Sequence, residues 1–157
     1  RPEITRALIL SPFYEPAAAQ APKWQLPFLN VLYGFHILPD QFTVPATADG
    51  AAFSYRALAN YNIVTKNLKS NPDNVSLKSL AVMISEDDDQ IDLGLARSIP
   101  KTIADTNQSM SFSTTDLSAN WKLGHDIASL DNKNVAARSD QLFDLYLTAY
   151  EGKQPQL

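Results

Sequence analysis

Hydrophobic positions along this chain alternate between short unbroken runs and longer stretches in which they recur every three or four residues. Thr5-Arg6-Ala7-Leu8-Ile9-Leu10 is one run, stopped by Ser11-Pro12, and Leu80-Ala81-Val82-Met83-Ile84 is another. Runs that are apolar on both faces mark strands buried inside a parallel sheet. A third β-rich stretch lies at 109–115, where Phe112 stands among serines and threonines. From Ala51 to Leu68 the spacing turns helical, with Phe53, Ala57, Tyr61, Val64 and Leu68 on the expected inner face. Asn71-Pro72-Asp73-Asn74 reads as a turn. A further helix is expected within 90–105, kinked or split at Pro100. The last helix, Ser139 to Tyr150, carries Leu142, Leu145, Tyr146 and Ala149 on one face. Ser139 or Asp140 is its expected cap, and Gly152 ends it.

The order is strand, long insertion, helix, strand, helix, strand, helix. Such alternation predicts an α/β fold with parallel strands joined by crossover helices. Residues 13 to about 50 form the insertion. They are punctuated by Pro16, Pro22, Pro27, Pro39 and Pro45, with Trp24, Phe28, Leu29, Val31, Leu32 and Phe35 between them. This reads either as a helical cap over an apolar cavity or as an irregular piece of core. Three strands make a small sheet for a free-standing α/β domain. With a first residue that is Arg1 and not methionine, they lead us to expect the second half of a larger fold. Alone, that half should be poorly soluble or pair with another chain through its first strand.

Composition narrows the partners more than the fold. The 157 residues are 45% hydrophobic, enough for a core, and their 13 basic and 17 acidic side chains leave a net charge of −4. No basic stripe exists, which argues against nucleic acid. Cysteine is absent, so disulfides, thiol catalysis and cysteine-ligated zinc are excluded together. No stretch reaches the ~20 apolar residues of a membrane span. Contact with a membrane surface is left open, with no feature in its favour, and no compartment is indicated.

Candidate chemistry sits where α/β sheets keep it, in loops beyond the carboxyl ends of strands. The second run leads into Ser85-Glu86-Asp87-Asp88-Asp89-Gln90-Ile91-Asp92, and the third leads through a polar loop into Leu123-Gly124-His125-Asp126-Ile127. Thirty-seven positions separate Asp88 from His125, room for one crossover helix and one strand. On neighbouring strands the two side chains can meet, the carboxylate orienting the imidazole as a base for a nucleophile. Each has a plainer reading. Asp87, Asp88, Asp89 or Asp92 could simply cap the next helix, and His125 could be an incidental surface residue. His36, inside the apolar insertion, reads as a core or cap histidine. The acidic cluster lacks the Asp-x-Asp-x-Asp-Gly pattern and distal Glu of a calcium loop, so no metal and no cofactor is expected.

SLAVMISEDDDQID resembles the penultimate strand and acid loop of the α/β-hydrolase superfamily, with Ser85 in the place of a glycine, Asp88 in the acid place and Ile91 in that of a valine. LGHDIASL resembles that family's histidine loop, TRALILSPF the strand after its nucleophile helix, and 139–150 the helix that closes its fold. The insertion falls where many members carry a lid. The resemblance implies the C-terminal half of an α/β-hydrolase and a serine hydrolase of carboxylic esters, of lipase, lysophospholipase or esterase type. In that scheme Asp88 and His125 are two members of a Ser-His-Asp triad, and Trp24, Phe28 and Phe35 line a pocket for an apolar ester. The family's Gly-x-Ser-x-Gly elbow has no counterpart, since no two of Gly34, Gly50, Gly94, Gly124 and Gly152 flank a serine. The implied partner is an N-terminal half of the same protein carrying the serine and the oxyanion-hole amides. The competing reading is a non-catalytic, hydrolase-like binding or assembly module. A stand-alone flavodoxin-like domain fits the length but lacks a phosphate loop after Thr5–Leu10.

Overall fold

The computed structural model describes residues 4–18, 27–28, 31–32, 35, 55–71, 77–107 and 109–156, with the side chains of 55–59, 61 and 62 excepted. Most of the 13–50 insertion, with Trp24 and His36, therefore lies outside the described residues, as do most of the 71–74 turn and Phe53.

Three strands, β1 (Arg6–Leu10), β2 (Ser79–Ser85) and β3 (Ser111–Leu117), form one parallel sheet in the order β1-β2-β3. Leu10 pairs with Met83 and Met83 with Thr115, while Ser85 pairs with Leu117 at the carboxyl edge. Every residue of β2 is buried, the burial that an unbroken apolar run calls for in a central parallel strand. The α/β arrangement expected from the alternation is present. β3 runs two residues beyond the expected 109–115 stretch because Asp116 and Leu117 continue the ladder against Ile84 and Ser85.

Helices cover both faces. The helix α1 (Tyr55–Ser70) follows β1 in the element order, and α2 (Leu93–Thr106) connects β2 to β3. On their side Leu80 packs with Ile99, Ile103, Ala104, Tyr14 and Met110. On the opposite face Ala81 and Met83 pack with Leu117, Leu123, Ile127 and the inner residues of α4 (Ser139–Tyr150). A short α3 (Lys133–Ala136), capped by the Asn132 side chain on the Asn134 amide, precedes it.

Three local expectations are corrected. In α1, Val64 is 54% exposed, whereas Thr65 is buried and gives its hydroxyl to the Tyr14 carbonyl at 2.7 Å. A buried carbonyl needs a donor more than the helix needs one more aliphatic contact, and the inner face turns accordingly. Of the two forms expected at Pro100, kinked or split, the split one is overturned. The helix is continuous through the proline, and the burial of Ile99, Pro100, Ile103 and Ala104 offsets a cost of about 3 kcal/mol for an interior proline. Neither Ser139 nor Asp140 caps α4; Arg138 stands at the N-cap and makes no side-chain cap bond. Its far end follows the sequence: Gly152 has φ +80°, and the amides of Gly152 and Lys153 close back on Ala149 and Thr148.

Residues 13–17, assigned from sequence to the start of the insertion, pack directly on the loop after β2. Pro16 bridges Ile91, the Ala17 amide bonds to the Gln90 carbonyl at 2.9 Å, and the Asp92 amide to the Glu15 carbonyl at 2.9 Å. Tyr14 is buried beneath. Burial raises the Tyr14 phenol from 10.0 to about 12, and burial with the nearby Asp126 carboxylate raises Tyr146 to about 12. The folded chain thus holds these two protons more tightly than the unfolded one. The associated stability is complete below pH 10 and is lost as pH climbs toward 12. An alkaline titration followed by phenolate absorbance and circular dichroism should show two of the six tyrosines ionising late, together with loss of helix. Six tyrosines titrating as one set, with the helix signal intact, would contradict this.

Candidate functional site

The site forms where β2 and β3 end side by side. Ser85 is the last residue of β2 and fully buried, and the Glu86 amide prolongs the ladder to the Leu117 carbonyl at 3.0 Å. The chain then turns, with the Asp88 amide on the Ser85 carbonyl at 3.2 Å. That turn drives the Asp88 carboxylate inward, to zero exposure. A carboxylate removed from water needs donors on both oxygens. Oδ1 accepts from the Gln90 amide at 3.0 Å, and Oδ2 lies 2.7 Å from Nδ1 of His125.

His125 is held from its own side. Leu123 and Ile127, two residues either way, are buried anchors in the core against α4. Gly124 between them adopts φ +64°, a left-handed conformation that glycine takes without a Cβ clash. Asn132 donates to the Leu123 carbonyl at 2.7 Å, the Ile127 amide returns to the His125 carbonyl at 3.1 Å, and Tyr146 donates its hydroxyl to the Ile127 carbonyl. The Phe13 ring stands edge-on to the imidazole, centroids 6.4 Å apart, so the segment after β1 forms a third wall.

For a neutral imidazole facing a carboxylate, the 2.7 Å contact is a hydrogen bond only in the tautomer with the proton on Nδ1, which leaves the lone pair on Nε2. The imidazole is 26% exposed and its carboxylate not at all. A reactant can therefore approach the ring while the acid stays sealed, the asymmetry an oriented base requires. Among the described residues no hydroxyl is hydrogen-bonded to His125, and no group of three or more His, Cys, Asp or Glu side chains is placed to hold a metal.

The structure divides the acidic cluster by task. Asp92 caps α2 through the Leu95 amide at 3.0 Å, so the capping role belongs to it and not to Asp88. Asp89 is exposed, and Asp87 accepts from the Gly124 amide. Residue order alone offered Asp87 a capping role or a place in an acidic cluster weighed as a metal site, and Phe13 none. The signal for Asp87 was the pairing of neighbours, Asp87-Asp88 against Gly124-His125 at the same separation. Asp88 and His125 are brought together as expected. Phe28 and Phe35 are 59% and 71% exposed, and Trp24 lies outside the described residues. No protein-family model matches the chain, and no curated protein and no solved structure matches it.

Proposed function

We propose that this chain supplies the base and the orienting acid of a serine hydrolase that cleaves carboxylic esters, and that it resembles the C-terminal half of an α/β-hydrolase in doing so. The 2.7 Å contact between the sealed Asp88 carboxylate and the accessible His125 ring, at the adjoining carboxyl ends of two parallel strands, carries this reading. The nucleophile is a serine on an N-terminal half of the same protein, outside these residues. Its hydroxyl attacks the ester carbonyl while Nε2 of His125 takes the proton; the imidazolium, stabilised by Asp88, returns that proton to the leaving alcohol. A water, deprotonated by the same Nε2, then releases the acid and regenerates the serine. Support for the missing half comes from β1. It is one of the two outer strands of the described sheet, yet four of its five residues are apolar and only partly buried. Edge strands that face water usually carry charge or proline instead. The exposed Phe28, Val31 and Phe35 favour an apolar acyl group.

The test is a fluorophosphonate probe on the purified protein, followed by denaturing intact mass of every polypeptide. A labelled polypeptide or segment other than these 157 residues is expected. A protein in which nothing is labelled would favour the non-catalytic binding module instead.

A further inference from the structure

We propose that Asp87 is a positioning residue for His125, acting through the backbone of Gly124; its catalytic consequence rests on the reading of His125 as the base. The run Glu86-Asp87-Asp88 meets the loop after β3 with three successive carboxylates, and each takes a different donor. Glu86 accepts from the Ala119 amide at 3.3 Å, Asp87 from the Gly124 amide at 3.2 Å to both oxygens, and Asp88 binds the His125 ring at 2.7 Å. The grip of Asp87 is the one adjacent to the imidazole. It fixes the amide of a residue whose left-handed φ of +64° sets the direction in which the chain enters His125.

Asp87 is itself held by the hydroxyl of the fully buried Ser85, which donates to Oδ1. Its carboxylate therefore has a side-chain donor on one flank and a backbone donor on the other, the satisfaction a part-buried charge requires. Asp88 fixes one atom of the ring, and the edge-on Phe13 ring stands against the imidazole, but neither holds the backbone that carries it. Fixing the preceding amide as well removes the freedom of the loop to carry the whole ring away from its acid. The anchors at Leu123 and Ile127 flank the ring at two residues' distance, and Asp87 adds a hold on the residue directly before it, so its loss loosens the near-attack geometry on which base catalysis depends.

The test follows two protons in the full protein by NMR, the Gly124 amide and the Nδ1 proton of His125. In Asp87→Ala both should exchange with water faster, while amides of the central strand β2 keep their protection. In Asp87→Asn, whose carboxamide oxygen still accepts from Gly124, both should be intermediate. Rapid exchange at Gly124 with an unchanged His125 proton, in either variant, overturns the proposal. Should Asp87→Ala fail to fold, Asp87→Asn decides on the same criterion. In the complete protein Asp87→Ala should lower kcat by about 10²-fold with KM unchanged. A wild-type protein that hydrolyses no ester would remove the hydrolase reading, while the proton-exchange measurement would still decide whether Asp87 positions the ring.

Discussion

On the ester-hydrolase reading proposed above, replacing His125 by alanine is expected to lower kcat about 10⁴-fold, with KM little changed. No other described side chain is held against the sealed Asp88 carboxylate as His125 is. Asp87 is committed to the Gly124 amide and Asp92 to the cap of α2, while Glu86 and Asp89 are exposed to solvent. The ring is a quarter exposed and lies outside the packed layers, so its removal creates no large cavity. It does leave Oδ2 of Asp88 buried without its partner, which should cost about 1–3 kcal/mol in a urea titration. Loss of activity with a modest loss of stability would distinguish a working base from a structural one. A His125→Ala protein with wild-type kcat would end the hydrolase scheme.

The second large effect is expected from Asp88→Asn. The change is nearly isosteric, but the carboxamide's single oxygen can serve either the Gln90 amide or Nδ1, not both. It replaces the charge that fixes the tautomer. If the carboxamide NH₂ faces Nδ1, the imidazole must carry its proton on Nε2, where the lone pair is needed, and kcat should fall about 10⁴-fold. A carboxamide oxygen facing Nδ1 preserves the tautomer but not the stabilisation of the imidazolium. Either orientation spares KM. The fold should survive, since no void is opened and no charge is left unpaired. Asp88→Asn activity indistinguishable from wild type would mean that the acid is not part of the machinery.

Much of this was readable from residue order because the signals were repeated. The inner face of α4 recurs at Leu142, Leu145 and Ala149, and Gly152 supplies the left-handed stop, so the helix runs over the expected residues. β2 could hardly be anything but a central strand with five consecutive apolar residues, all of them buried. Asp88 and His125 were legible because an acid and a histidine stood in loops that parallel topology puts on one edge. What escaped were decisions made by single hydrogen bonds. The rotation of α1 turns on the Thr65 hydroxyl meeting the Tyr14 carbonyl, and no periodicity encodes that. A helix of four residues such as α3 is too short to show a repeat; it exists because Asn132 caps it. Asp87 and Asp88 differ by one position and have the same chemistry. Only the turn geometry after Ser85 decides which of them faces the ring.

The separation between Asp88 and His125 also bears on how the chain folds. Their contact spans 37 positions and lies just beyond the Ser85–Leu117 pair that ends the ladder. No local segment can make it. It has to await the winding of α2 and the docking of β3, events that close a loop of that length before any reward is collected. Hydrogen exchange at the imidazole is therefore a late-stage marker of sheet completion. A partly folded chain with β1 and β2 already paired would carry both side chains and yet lack the pair, so the imidazole is oriented at this edge only once the final strand docks.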